Sequence, residues 1–306
     1  MTTTVNTSPG FASRLVNGIL AIKPIANFAK HQARQMMIKR AEKIGVPWRE
    51  RVQELRSRDW LLDLAQVQNL QLVYPDYYVR SFHAYENGNL SWDAALEVEV
   101  AAHAVHSGIG TGAGAQGDAR LRSSYHDILT SLIPASPRDI LDLGCSVGMS
   151  TFALQEIYPQ AQVTGLDLSP YFLAVAHYNS VQRHSPINWV HAQAESTGLQ
   201  NESFDLISIC LMCHELPQSA TQQIFAEARR LLRPGGYLAI MDMNPQSQVY
   251  AKMPPYILTL LKSTEPYFDD YFTLDIEKAL VAAGFTHPSI TRNTIRHRTI
   301  IAQVSG

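Results

Sequence analysis

Beyond about residue 138 the chain alternates short apolar runs with amphipathic stretches, and the spacing predicts alternating strands and helices. Strands are expected at Ile140–Leu143, Val163–Asp167, Ile187–Val190, Phe204–Met212 and Tyr237–Asp242. Helices are expected at Met149–Tyr158, from Ser169-Pro170 to about Gln182, at Gln218–Leu232 and at Leu274–Ala283. Ser169-Pro170 has the form of a helix cap followed by proline at the first helical position. Two β segments follow, near 286–293 and 295–303. Repeated β-α units predict a mostly parallel, doubly wound sheet with helices on both faces.

The first 130 residues read differently. Phe11, Leu15, Val16, Ile19 and Leu20 recur at helical spacing up to Pro24, and a second helical stretch covers about Ile25–Ile44. Helical character continues over Trp48–Leu64. Residues 73–92 are aromatic and turn-rich, and Ser91 caps a helix running to about Ser107. Gly108–Gly117 is a loop with no lysine in P-loop position. The expected division is an N-terminal helical extension and substrate cap, 1–130, and an α/β domain, 131–306.

The formal charge of −2 conceals a division. Residues 1–58 hold 11 Lys and Arg against 3 Asp and Glu; residues 59–306 hold 14 against 24. An acidic main body excludes a generally basic nucleic-acid binder, so no nucleic-acid partner is expected. The basic helices, with Lys30, Arg34, Lys39, Arg40 and Lys43, suggest either a lid with a solvated basic face or a peripheral contact with an anionic membrane. The first apolar stretch is too short and polar to span a bilayer, so a cytoplasmic, optionally membrane-peripheral, location is expected. Three cysteines fit a reducing compartment. Cys210-Leu-Met-Cys213-His214 matches a haem-attachment string, but it follows a buried strand and reads as packed thiols. No metal site is expected; His103 and His106 lack an accompanying carboxylate cluster in the sequence.

Ligands of doubly wound sheets bind at the carboxyl ends of the strands. The first strand–turn–helix reads Asp142-Leu-Gly144-Cys-Ser146-Val-Gly148, whose small residues let a ligand approach the backbone. Ser146 and Met149 stand where the dinucleotide fingerprint needs glycine. Asp167 ends the second strand, where a carboxylate can accept bonds from ribose hydroxyls.

These residues resemble the class I S-adenosylmethionine-dependent methyltransferases over about 136–306. Asp142–Gly148 is similar to the family's first glycine motif, and Asp167 to its acid after the second strand. His191-Ala-Gln-Ala-Glu195, Ser203-Phe-Asp205-Leu-Ile and Leu231-Leu-Arg-Pro-Gly-Gly-Tyr-Leu resemble three later motifs. The resemblance implies a seven-stranded Rossmann-like sheet with an antiparallel last strand and S-adenosylmethionine as cofactor. It implies Gly144, Cys145, Ser146 and Gly148 along the methionine and ribose side, Asp142 ordering that loop, and Asp167 with Leu168 at the ribose. Gln193 and Ala194 would sit beside the adenine, and Cys210, Leu211 and Met212 below the sulfonium. Asp205 reads as a structural turn residue, and Asp242 is left open.

His214 and Glu215 follow the fourth strand and are the candidates for catalysis, His214 as a base near neutrality. Two insertions, 73–106 and 245–272, contribute Tyr74, Tyr77, Tyr78, Phe82, Tyr85, Trp92, Tyr250, Tyr256, Tyr267, Phe268, Tyr271 and Phe272. Such aromatic density suggests a largely apolar small-molecule acceptor methylated on oxygen or carbon, about half the rings being core. The alternatives are a cofactor-binding regulatory protein without turnover and a protein or RNA methyltransferase.

Overall fold

A computed structural model describes residues 23–305, apart from 84, 111 and 113. The expected helix around Phe11–Leu20 therefore lies outside the described residues. In chain order come α1 (Lys23–Lys43), α2 (Trp48–Arg56), α3 (Leu61–Val67), α4 (Trp92–His106) and α5 (Gly117–Leu132). The alternating part follows: β1 (Asp139–Leu143), α6 (Met149–Ile157), β2 (Gln162–Asp167), α7 (Pro170–Arg183), β3 (Asn188–His191), β4 (Phe204–Cys210), α8 (Gln218–Leu231) and β5 (Leu232–Met243). Four helices, α9 (Gln248–Ala251), α10 (Pro255–Thr264), α11 (Phe268–Thr273) and α12 (Ile276–Ala282), precede β6 (Ser289–Arg292) and β7 (His297–Gln303).

The seven strands order as β3-β2-β1-β4-β5-β7-β6. β1 to β5 pair in parallel, and β7 runs antiparallel to both β5 and β6. The strand order reverses between β1 and β4, which opens a crevice beyond their carboxyl ends. Alternation along β1 sends Leu141 and Leu143 to a core shared with α8 and α12, and Ile140 to a core under α5 and α6. The N-terminal helices pack separately: α4 meets α7 through Ala94, Leu96 and Phe172, and meets α1 and α2 through Val100 and Ala104.

Several expectations need correction. Trp48–Leu64 is two helices rather than one, because buried Trp60 turns back and donates its indole N–H to the Leu55 carbonyl at 2.8 Å. α5 was not expected at all. Its buried Leu121, Tyr125 and Leu129 have helical spacing, but polar residues between them and the glycine-rich loop before them hide the period. This helix packs on α6 and the sheet, so the layer built on the sheet begins before residue 130. β5 starts five residues earlier than Tyr237, with Arg233–Gly236 bulged out between the Phe204–Leu232 and Leu206–Tyr237 pairs. Residues 245–272 fold as α9, α10 and most of α11. No helix among the described residues is long and apolar enough to cross a membrane.

Candidate active site

The first turn after β1 is built from left-handed backbone: Gly144 at φ 70°, Ser146 at 50° and Gly148 at 88°. At Gly144 a Cβ would also collide with the Met212 side chain. The turn is tied to β2, since Gly144 and Cys145 both donate backbone N–H groups to the Leu166 carbonyl, at 2.8 and 3.0 Å. Asp167 completes the clamp: its Oδ2 accepts the Ser146 N–H and its Oδ1 the Ser169 N–H, each at 2.8 Å. Burial pushes the Asp167 carboxyl up to about 6, against the pull of those N–H groups.

Asp142 works from behind. It is fully buried, accepts the hydroxyls of Ser150 at 2.6 Å and Thr151 at 2.7 Å, and so anchors the first turn of α6 to the end of β1. Burial raises its carboxyl to about 6, while the hydroxyls and Arg122 oppose the rise. Neither Asp142 nor Gly148 lines the crevice, whereas Gly144, Cys145, Ser146, Asp167, Leu168 and Ala194 do. Gln193 is drawn away from it. Its amide donates to the Val73 carbonyl, and together with His191 Nδ1, which accepts the Asn69 N–H at 2.9 Å, it holds the 69–73 segment against the sheet edge.

The crevice opens into one cavity of about 680 Å³, mostly apolar, lined by both the sheet and the N-terminal helices. Cys210, Leu211 and Met212 form part of its wall at the end of β4, and burial pushes the Cys210 thiol up to about 12. All three cysteines are buried and free. His214 and Glu215 also reach the cavity, in a single turn of 3₁₀ helix after β4. His214 Nδ1 lies 2.7 Å from Asp242 Oδ1 at the end of β5, and Asp242 also accepts the Met243 backbone N–H. Burial alone would lower the His214 imidazole, but Asp242 outweighs it and holds the ring up at about 10. Glu215 accepts a bond from Asn89 at 3.3 Å, and burial raises its carboxyl to about 7.

Several polar residues of this cavity were missed by sequence reasoning. Arg122 donates to Asp118 Oδ2 at 2.9 Å, and Asp118 also meets His106 Nδ1 at 2.7 Å; His106 thus has the carboxylate partner that was not foreseen. Arg122 reaches the Cys210 sulfur at 3.5 Å. The i, i+4 pairing of Asp118 with Arg122 was the available signal for both the helix and the residue. Glu195, bonded by the Tyr77 hydroxyl, has its second oxygen buried without a partner among the described residues. His83, Asn89 and Glu265 come from the insertions and carried no motif. Asp205 lies away from the cavity, strapping Arg138, Asp139 and Arg233 at the start of β4. Tyr77, Tyr78, Phe82, Tyr85 and Tyr250 line the cavity, while Phe268 and Tyr271 are core and Trp92 packs on Trp60 and Tyr171.

A doubly wound sheet, a left-handed turn after β1 and a carboxylate closing β2 define a protein that holds a nucleoside-bearing cofactor at its switch point. Residues 140–236 match the methyltransferase domain family. An uncharacterized methyltransferase of Synechocystis sp. is 31% identical over 163 residues, covering 53% of this chain and 74% of that protein. The chain covers only 38% and 44% of two further methyltransferases of Hahella chejuensis and Mycobacterium leprae that it matches. The fold is that of the CurJ carbon methyltransferase (TM-score 0.52, 16% identity, 75% of this chain and 66% of that one). It is equally that of Haemonchus contortus phosphoethanolamine N-methyltransferase 2 in complex with S-adenosyl-L-methionine (TM-score 0.50, 15% identity, 60% and 53%). The chain belongs to the class I S-adenosylmethionine-dependent methyltransferases.

Proposed function

We propose that the chain transfers a methyl group from S-adenosylmethionine to a hydroxyl of a small, largely apolar acceptor. The observation that carries this reading is one apolar cavity shared by the Gly144–Asp167 wall and by Glu215 with the His214–Asp242 pair. The residues present fit the cofactor. Ser146 Oγ and Glu195 Oε2 are buried polar atoms of the cavity lining with no partner among the described residues, as a nucleoside's hydroxyl and amino groups require. Asp167 would hold the ribose hydroxyls, Ala194 and Glu195 the adenine side, and Arg122 the cofactor's carboxylate.

Bound there, S-adenosylmethionine supplies a methyl group made electrophilic by its sulfonium. The chain's part is to exclude water and to align the acceptor oxygen, for which positioning contributes about 7–11 kcal/mol in favourable cases. Glu215, raised towards neutrality by burial, is suited to receive the hydroxyl proton. His214 is not, because Asp242 keeps it charged; it serves as a fixed positive group and hydrogen-bond donor. Purified protein incubated with methyl-labelled cofactor and a small-molecule extract of its host should label an apolar product. Cofactor binding without any label transfer would favour a regulatory protein instead.

A further inference from the structure

One polar cluster of the cavity lies outside the residues assigned to the cofactor. His83 Nε2 lies 3.0 Å from Glu265 Oε1 and 3.9 Å from Glu215 Oε1, so a carboxylate of the 245–272 insertion and one of the turn after β4 converge on a nitrogen of the 73–106 insertion. Asn89 donates to the other oxygen of Glu215 at 3.3 Å. The backbone enforces this meeting: the His83 N–H donates to the Thr264 carbonyl at 2.9 Å, and His83 takes a left-handed φ of 50° that non-glycine residues adopt only when their surroundings require it. Glu265 is only 6% exposed, lines the cavity, and keeps its second oxygen buried without a donor among the described residues. A buried carboxylate oxygen without a donor is costly, so the site is completed by a ligand that brings one. Around the cluster the lining is apolar, with Met253, Ile257 and Leu261 among its residues.

We propose that the acceptor is an apolar molecule bearing two neighbouring hydroxyls, the first presented to Glu215 for methylation and the second held by Glu265. This rests on the methyl-transfer reading above and names the head group that such a site selects. Glu265 is then a specificity residue, and His83 the positioning residue that fixes both carboxylates. A neutral diol fits better than an ammonium group. His214 beside Asp242 and His83 between its glutamates both have partners that favour the charged imidazole, and a cation would meet two like charges.

Calorimetry on the full chain saturated with S-adenosylhomocysteine tests the idea without turnover. Butylcatechol, butylphenol and butylamine serve as matched probes. Butylcatechol should bind about tenfold tighter than butylphenol, the worth of one added hydrogen bond to a charged acceptor. In Glu265→Ala that preference should fall below about twofold while S-adenosylhomocysteine affinity, which also reports folding, stays unchanged. Glu265→Gln, which keeps one acceptor, should retain an intermediate preference. Equal binding of catechol and phenol, a preference that survives Glu265→Ala, tightest binding by butylamine, or no binding of any probe to the saturated protein would each overturn the diol. Failure of S-adenosylhomocysteine itself to bind would instead remove the methyl-transfer reading on which it stands.

Discussion

The two ends of the cavity are built in opposite ways. At the cofactor wall, residues 142–169 are near neighbours in the chain, and the decisive bonds are backbone ones: Asp167 to the N–H groups of Ser146 and Ser169, and Gly144 and Cys145 to Leu166. At the acceptor end, side chains meet side chains across long separations: His83 with Glu265, Asn89 with Glu215, and Arg34 and Tyr85 with Glu97. A wall fixed by its own backbone persists through many substitutions. An end assembled from two insertions, the turn after β4 and α1 depends on each contact, and it is where substrate choice can diverge while the cofactor stays the same.

The strongest way to break the acceptor end alone is at Glu97. Its side chain is wholly buried in α4, where it receives Arg34 of α1 through two nitrogens and the Tyr85 hydroxyl at 2.9 Å. Glu97→Ala should cost near the low end of the about 3–5 kcal/mol seen when one partner of a buried pair is removed, since Arg34 remains partly exposed and can be solvated. Hydrogen exchange should quicken in α1 and residues 82–89, with S-adenosylmethionine affinity changed less than about twofold. Equal loosening of both ends would show that they are not separate units.

That separation also explains what the sequence made legible. Five strands and the cofactor loop were readable because local spacing encodes them: Asp142-x-Gly144-x-Ser146-x-Gly148 sits between an apolar run and an amphipathic helix, and Asp167 ends the next apolar run. Arg122 was hidden because its helix follows a glycine-rich loop and carries polar residues between its buried ones. His83 and Glu265 were unreadable for a different reason. They lie 182 positions apart, inside segments whose only pattern was aromatic content, and a three-dimensional turn brings them together. Gln193 shows the converse failure, since a motif position was filled by a side chain that bonds the neighbouring segment rather than facing the cavity. Arg34, one of the basic residues of the N-terminal helices, is a half-buried strut that pairs with buried Glu97.

At the cofactor wall the expected loss is somewhat smaller and confined to binding. Asp167→Ala removes a buried carboxylate that orders the Ser146 turn and is assigned the ribose hydroxyls. A hydrogen bond to a charged group is worth about 1.5–3 kcal/mol, so loss of even one should lower S-adenosylmethionine affinity by at least about tenfold in calorimetry. Unchanged affinity would sink the ribose assignment. An accompanying loss of butylcatechol preference, measured at saturating S-adenosylhomocysteine, would show that the two ends are coupled.

The smallest expected effect is a pH dependence at the seam between the two ends. His214 is raised from 6.5 to about 10: burial opposes its charge, and Asp242 more than offsets that opposition. A histidine raised on folding binds its proton more tightly in the native state. Its contribution to stability is therefore complete below about 6.5 and is lost as pH rises through about 10. Asp142 and Asp167, raised to about 6, lose their corresponding contribution as pH rises through about 6, and Glu215 as it rises through about 7. The informative interval thus runs from above 7 to about 10, where surface lysines and tyrosines also titrate and only a difference between proteins isolates His214. Melting temperature should fall with pH more steeply in the parent protein than in His214→Gln, which has no charge to lose. Parallel curves would mean that Asp242 does not hold His214 charged, and His214 would return as a candidate base beside Glu215.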